Sequence, residues 1–340
     1  MKHDSLEIFQ KIAPDLMGIV KERYLLLRHI SDSEPIGRRT LAGLSGLSER
    51  VVRAHVDVLR RGGIVKFTST GIMLQPEGRA MMPDLLECFL RLNQLDELQR
   101  RIQGLLKVKR VCIVPGNSDT DRTAKEEMGR MGALLLADIL ENVKVVAISG
   151  GSTMAMVAQM LPECQYGITV VPARGGIGNQ VEYQANVIAA NIAAKTGGQY
   201  HMIHIPDGLS EQALKVLLQT DTQTKEVVRL AKGAQVVLFG IGRADTMVHR
   251  RGLNAAKQKA LNDSGACGEA LGSYCDLAGH IVHSTSNVGV ALTEIQRNPH
   301  VIAVAGGASK AEAIISVMRV CKTGMLVTDE AAATAIISMI

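Results

Sequence analysis

The feature that most constrains the fold is an alternation of short apolar runs and helical patterns from about residue 110 onward. The apolar runs have the length of strands and lie at 111–114, 145–148, 168–171, 201–205, 236–239, 301–304 and 325–327. Helical patterns lie at 125–141, 154–161, 183–195, 211–218, 311–318 and 331–339. Continuous apolar strands that alternate with helices predict a doubly wound, Rossmann-like α/β domain with a mostly parallel sheet covered on both faces.

Three glycine-bearing turns follow strands of this predicted sheet. They read Gly-Gly-Ser-Thr at 150–153, Ala-Arg-Gly-Gly at 173–176 and Gly-Gly-Ala-Ser-Lys at 306–310. Such sheets bind ligands beyond the carboxyl ends of their strands, where free amides and helix dipoles favour anions. Each turn alone also fits a plain strand-to-helix connection, but the three together predict a phosphate site. The sequence contains neither Gly-x-Gly-x-x-Gly nor a Walker A pattern.

The predicted effector-binding residues come from these turns and from one carboxylate that could accept hydrogen bonds from sugar hydroxyls. They are Gly150, Gly151, Ser152, Thr153, Arg174, Gly175, Gly176, Glu269, Ser309 and Lys310. Because Arg174 and Lys310 lie on separate loops, they could hold two phosphates, or a phosphate and a hydroxyl. For Glu269 the alternative is an ordinary solvated carboxylate. We assign no catalytic residue.

Three further patterns in the sequence are weaker. Two histidine pairs have members three apart on expected strands, which would send them to opposite faces, so no metal site is expected; the pairs are His201 with His204 and His280 with His283. Arg243 and Asp245 follow a strand and either contact a ligand or form only a surface ion pair. Asp329 follows the last strand and is a candidate cap for the last helix.

Residues 35–78 predict a winged helix-turn-helix. Gly46 suits the tight turn, and Ser48 is a plausible N-cap for the helix that follows. Two short apolar runs separated by Ser-Thr-Gly suit a hairpin wing. The pattern therefore predicts three helices and two strands, at 14–30, 38–44, 49 to about 61, 64–67 and 72–74.

The same segment is locally basic, although the whole chain carries a net charge of only +5. In this motif the second helix of the pair enters the major groove of DNA. The predicted DNA-binding residues are Arg38, Arg39, Ser48, Arg50 and Arg53. The alternative is a solvated surface on an ordinary helical domain. Aromatic residues make up 3% of the chain, which argues against single-strand binding by base stacking.

The length of 340 residues predicts two domains with a connector. We place a DNA-binding domain at 1–80, a connecting helix at 81–108 and an effector domain at 109–340. Leucines repeat at helical spacing between 85 and 106, and this helix either pairs between subunits or packs on its own effector domain. A dimer is expected, and a tetramer on DNA.

Composition indicates the compartment. The chain has six cysteines that are scattered without a Cys-x-x-Cys pair, as in the reducing cytoplasm. Its first residues lack an apolar signal region, and no apolar run approaches the roughly 20 residues of a membrane span. We therefore expect a cytoplasmic protein with no membrane contact.

Six motifs carry a resemblance that extends over nearly the whole chain. They lie at 34–39, 48–51, 127–130, 171–176, 306–313 and 327–330, and the last four are fairly specific. With these residues the chain resembles the central glycolytic genes regulators, a family of bacterial repressors of the SorC/DeoR type. Ser152 stands where the family leads us to expect threonine, and the hydroxyl is kept. Ala308 stands where serine could have stood, so one possible phosphate contact is lost.

The resemblance implies a winged-helix repressor of a glycolytic operon. Its effector domain would resemble sugar-phosphate isomerases and deaminases, and its inducer would be fructose-1,6-bisphosphate. No cofactor is implied, and the partners would be double-stranded operator DNA, the sugar phosphate and further copies of the chain. Two other classes stay open: an isomerase or deaminase with a regulatory DNA-binding domain, and a DNA-binding scaffold whose α/β domain only oligomerises.

Overall fold

The computed structural model describes residues 12–92, 95–176, 180–205, 209–285 and 288–340. The chain divides into two compact units, one up to Asp96 and one from Glu97 to Ile340. Within the described ranges, every helix is too short or too polar to span a bilayer.

The N-terminal unit has the predicted winged helix-turn-helix. Its elements are α1 (Pro14–Ser33), α2 (Arg38–Ser45), α3 (Glu49–Arg61), β1 (Val65–Phe67), β2 (Ile72–Leu74) and α4 (Pro76–Leu92). Gly46 ends α2 in the left-handed conformation at φ 69°, and the Ser48 side chain accepts a hydrogen bond from the Val51 amide to cap α3. β1 and β2 pair antiparallel to form the wing. The inward faces of the helices and wing share one apolar core that includes Leu26, Val56 and Ile72.

The C-terminal unit is built on a seven-stranded parallel sheet. Its strands are β3 (Arg110–Val114), β4 (Val145–Ile148), β5 (Thr169–Pro172), β6 (Gln199–Tyr200), β7 (Val236–Gly240), β12 (His300–Val304) and β13 (Met325–Asp329), in the spatial order 3-13-12-7-4-5-6. The helices are α5 (Leu95–Leu106), α6 (Arg122–Leu140), α7 (Ser152–Met160), α8 (Ala185–Lys195), α9 (Glu211–Thr220), α10 (Thr222–Lys232), α11 (Ala244–Arg250), α12 (Ala255–Asp263), α13 (Ala311–Val320) and α14 (Glu330–Met339). This is the predicted α/β class.

The strand order contains a switch point. β4 and β7 are neighbours, but the chain leaves β4 towards β5 and β6 on one side and leaves β7 towards β12 and β13 on the other. The loops that follow β4 and β7 therefore diverge and leave a crevice at the carboxyl edge of the sheet, which is where such folds bind ligands.

A second, four-stranded antiparallel sheet was not predicted. It consists of β8 (Gly242–Arg243), β9 (Ala266–Ala270), β10 (Ser273–Asp276) and β11 (Ile281–Ser284), in the order 11-10-9-8. Leu271 and Gly272 connect β9 to β10 with φ values of 50° and 85°. A left-handed leucine is uncommon, and the Gly272 amide is held by Glu269 Oε1 at 2.7 Å.

The predicted strand at 201–205 is wrong. The strand is Gln199–Tyr200, and 201–205 is irregular. The reason is that Asn186 takes the backbone of Ile203 out of the ladder: its side chain donates to the Ile203 carbonyl at 3.1 Å and accepts from the Ile203 amide at 3.0 Å. His201 and His204 are consequently not strand residues.

The predicted connecting helix corresponds to two helices, α4 and α5, and residues 93–94 between them lie outside the described ranges. The second half of the pattern packs on its own effector domain. Ile102 is fully buried, Gln99 Oε1 accepts a hydrogen bond from the Ile113 amide at 2.8 Å, and Gln103 donates to the Lys109 carbonyl at 3.1 Å.

Candidate functional site

The crevice at the switch point is a cavity of about 390 Å³. All predicted effector residues except Ser309 line it: Gly150, Gly151, Ser152, Thr153, Arg174, Gly175, Gly176, Glu269 and Lys310. Residues 240–243, which run from the end of β7 through β8, also line the cavity. The structure thus brings the predicted turns together at one place.

The wall after β4 is shaped by two glycines. A Cβ on Gly150 would lie 2.7 Å from the Tyr183 carbonyl oxygen, which is too close for any side chain, and Gly151 has φ 117°. The Gly151 amide donates to the same carbonyl at 2.8 Å. α7 then begins at Ser152, so its N-terminus and the hydroxyls of Ser152 and Thr153 face the cavity. A helix N-terminus with hydroxyl groups favours an anion.

Several cations meet beside this wall. The Nζ atom of Lys125 donates to Ser152 Oγ at 2.8 Å. Desolvation, followed by the charges of Arg250 and Arg122, lowers the pKa of Lys125. The pKa of Lys310 is also lowered, first by desolvation and next by the charge of Lys125. The negative charge of the nearby Asp119 offsets this only in part. A lowered lysine pKa means that the protonated state lacks compensation, so this corner favours a bound anion.

A second, buried group of charges lines the cavity around Glu269. Arg251 Nη2 lies 2.6 Å and Arg174 Nη1 3.7 Å from Glu269 Oε1, and all three side chains are at most 5% exposed. Each arginine also donates to Thr285 Oγ1 at 3.3 Å. Glu269 is therefore not the solvated carboxylate of the alternative interpretation.

The third turn contributes less than expected. The Ser309 amide and hydroxyl both donate to Asp119, at 2.9 and 2.8 Å, and the Gly307 amide donates to Asp329 at 2.7 Å. These donors are thus already engaged by carboxylates. The turn reaches the cavity through the Lys310 side chain, and Ser309 lies outside the lining.

Sequence reasoning missed part of the site. Tyr183 and Gln184 line the cavity from the start of α8, and Arg250 and Arg251 line it from the end of α11. Lys125 reaches it through Ser152. The adjacent pair of arginines was the available signal, because basic residues are candidates for a predicted phosphate site. Arg243 lines the cavity and pairs with Asp245 at 3.1 and 2.5 Å. Among the described residues no three metal-binding side chains come together.

The predicted DNA-binding residues lie on or beside α2 and α3. Arg39, Ser48, Arg50 and Arg53 are exposed, and Arg38 is half-buried. Arg39 forms a 3.4 Å ion pair with Glu49. Arg50 and Arg53 are exposed on α3, whereas Val52, Val56 and Leu59 of the same helix are buried. This placement suits a helix that reads a groove.

Comparisons with known proteins follow the same division. Residues 19–89 match the CggR N-terminal DNA binding domain, and residues 91–338 match a putative sugar-binding domain. Over 331 residues the chain is 37% identical to the central glycolytic genes regulator of Priestia megaterium, with 96% of each chain covered. It is 36% identical over 326 residues to the regulator of the same name from Bacillus subtilis, with 95% of this chain and 96% of that one covered.

Solved structures show the same fold. A putative SorC family transcriptional regulator from Enterococcus faecalis matches with a TM-score of 0.65 and 33% identity, over 71% of this chain and 99% of that one. The full-length sorbitol operon regulator SorC from Klebsiella pneumoniae matches with a TM-score of 0.65 over 94% of this chain and 98% of that one. At 17% identity the second match concerns the fold alone.

Proposed function

This chain belongs to the central glycolytic genes regulator family of SorC/DeoR-type transcriptional regulators, and from this premise we propose that its effector is fructose-1,6-bisphosphate. The family and its two domains make the chain a sugar-responsive repressor that binds operator DNA. The proposal adds the identity of the sugar and the place where it binds, which is the cavity between β4 and β7.

One observation carries the proposal: the cations at the cavity fall into two groups with different neighbours. Lys310 lies with Lys125 and Arg250 beside the N-terminus of α7, and its pKa is lowered because burial and these charges disfavour its protonated form. Arg174 and Arg251 form the second group, around Glu269. A ligand with a phosphate at each end meets both groups, and each phosphate receives charge-assisted hydrogen bonds. A monophosphate meets only one.

We place the phosphates and the sugar ring accordingly. Ser152, Thr153 and Lys310 hold one phosphate, and Arg174 with the amides of Gly175 and Gly176 holds the other. The Glu269 oxygen that is not engaged with Arg251 accepts from sugar hydroxyls. Ser309 leaves the proposed site, because its donors are engaged by Asp119.

The switch requires a difference in affinity. A ligand shifts an equilibrium only when it binds one state better than another. We propose that the repressing form is a dimer, or a pair of dimers on two half-sites, and that the bisphosphate favours a quaternary arrangement with lower operator affinity. The symmetry of helix-turn-helix operators supports an assembly of at least two chains.

The relatives that match nearly the whole chain are named as regulators, so the chain is a regulator rather than an enzyme. The site agrees with this, because an isomerase needs a carboxylate placed to take a proton from carbon. The candidate carboxylate, Glu269, instead has one oxygen held by Arg251 and the Gly272 amide.

The experiment is a thermal-shift panel of sugar mono- and bisphosphates, followed by operator titration with each ligand that binds. We expect the largest rise in Tm with fructose-1,6-bisphosphate, a smaller one with fructose-6-phosphate, and weaker operator binding in the presence of the bisphosphate. Equal shifts with both sugars would contradict the two-phosphate site. R174A that still responds like the wild type would place the site elsewhere.

A further inference from the structure

Three residues from different elements of the N-terminal unit meet at the base of the wing. Arg38 is the first residue of α2, Arg60 lies in the last turn of α3, and Phe67 ends β1. The guanidinium carbon of each arginine lies 5.0 Å from the centroid of the Phe67 ring. This is within the distance at which an aromatic face attracts a cation. One ring therefore holds two cationic groups that belong to two helices.

Neighbouring basic side chains make other contacts. Arg39 pairs with Glu49, and Arg61 Nε donates to the Asp57 carbonyl of its own helix at 3.4 Å. Phe67 also packs on the apolar core of the unit, a task that leucine would fulfil equally well. The aromatic ring adds a face for cations, which leucine lacks.

We propose that Arg38, Arg60 and Phe67 form a clamp for one phosphate of the duplex DNA backbone, separate from the base-reading face of α3. The two guanidinium groups lie no farther apart than twice their distance from the ring centroid. Two like charges within this distance repel each other, and an anion that contacts both relieves the repulsion through charge-assisted hydrogen bonds.

The start of α2 strengthens the same field. The first turn of α2 contains no acidic residue, and its N-cap, Gly37, supplies no side-chain hydrogen bond. The positive end of the helix dipole therefore adds to the charge of Arg38 instead of offsetting it. The Phe67 ring holds the Arg38 side chain in place. An arginine that is ordered before binding loses less conformational entropy when the phosphate arrives.

The test uses the full-length protein and a fluorescein-labelled DNA duplex of random sequence, because binding without sequence preference reports phosphate contacts. Anisotropy titrations over a range of KCl concentrations give the slope of log K against log salt. We expect R38A and R60A each to reduce this slope by about one. The control is K215A, which removes an exposed lysine of the C-terminal unit and should leave affinity and slope unchanged.

The role of the ring is tested at constant charge. F67L keeps both arginines but removes the face that orders them, so affinity should fall about two- to fivefold, and F67Y should retain wild-type affinity. In the R38A/R60A background F67L should have no further effect. Wild-type salt slopes in R38A and R60A, or equal affinities of F67L and F67Y, would overturn the clamp. So would a loss of affinity by F67L in the R38A/R60A background, because the ring would then act through the fold.

Discussion

Arg251 Nη2 lies 2.6 Å from Glu269 Oε1 on the wall of the cavity, and both side chains are almost completely buried. The same oxygen accepts from the Gly272 amide and lies 3.7 Å from Arg174. One carboxylate thus links β9, the β9–β10 turn, the end of α11 and the loop after β5. Its negative charge compensates two guanidinium groups that are buried away from water.

We expect E269A to destabilise the ligand-free protein by about 3–5 kcal/mol, because removal of one partner leaves buried charge without compensation. Urea denaturation measures the change. The matched control is D245A, which removes the partner of Arg243 from an exposed pair and should cost less than about 1 kcal/mol. Fructose-1,6-bisphosphate should restore part of the stability of E269A. Equal losses for the two variants would contradict a structural role for the buried carboxylate.

Removal of Lys310 should have the opposite effect on the ligand-free protein. Its pKa is lowered in the folded state from the ordinary 10.5, so its protonated form opposes folding. The cost is fully present below the folded-state pKa and disappears as pH rises towards 10.5. K310M should therefore raise the Tm at pH 7, and this gain should shrink as the pH rises. The variant should also lose most of the Tm increase given by the bisphosphate.

The control for K310M is K215M, which removes an exposed lysine of α9. It changes the net charge by the same amount and should leave the Tm and the response to ligand unaltered. A K310M protein whose Tm falls at neutral pH would show that the ammonium group is compensated in the folded state.

Asp329 joins two loops and the last helix at the carboxyl edge of the sheet. It is fully buried, and its carboxylate accepts from the amides of Gly307, Ser118 and Ala332 at 2.7, 2.7 and 2.8 Å. The last contact confirms the predicted cap of the final helix. We expect D329A to cost about 3 kcal/mol or more, since several buried donors lose their acceptor.

E330A is the comparison for Asp329, because Glu330 accepts one hydrogen bond, from the Gly116 amide at 3.2 Å. Its loss should cost only about 1 kcal/mol. Chemical denaturation measures both variants, and similar costs would mean that the buried amides find other partners.

The sequence predicted the elements with strong patterns. The winged helix-turn-helix appears with its helices and hairpin where the apolar spacing, Gly46 and Ser48 indicated, and six of the seven expected strands of the large sheet lie within about two residues of their predicted bounds. The seventh, at 201–205, is wrong because the hydrogen bonds of Asn186 with Ile203 end the ladder, and no local pattern reveals such a tertiary contact.

The antiparallel sheet was missed because its strands are short and rich in small or polar residues; β9 reads Ala-Cys-Gly-Glu-Ala and β10 Ser-Tyr-Cys-Asp. Helix α11 has seven residues, too few for a helical period to be recognised. These two omissions removed Arg250 and Arg251 from the predicted site and left Glu269 as an isolated carboxylate.

Arg53 should carry base recognition, because it is exposed on α3, outside the buried face of that helix. If it reaches a guanine edge, R53A should cost about 1–3 kcal/mol of operator binding and relax one base preference. If it contacts a phosphate, the loss should be uniform across sequences and the salt slope should fall by about one. Operators selected by the protein from a random library provide the readout. Unchanged affinity and slope in both R53A and R50A would remove α3 from the interface.

Ser48 has a structural role that can be separated from DNA contact. Its Oγ accepts from the Val51 amide at 3.3 Å and caps α3. S48A should destabilise the N-terminal unit by about 1 kcal/mol, whereas S48D keeps an acceptor at the N-cap and should retain stability. Because the residue is exposed at the start of the reading helix, the added negative charge of S48D should repel phosphate and weaken operator binding. Circular dichroism melting and anisotropy titration measure the two effects. S48D that binds the operator like the wild type would place DNA away from this end of α3 and leave Ser48 as a cap alone.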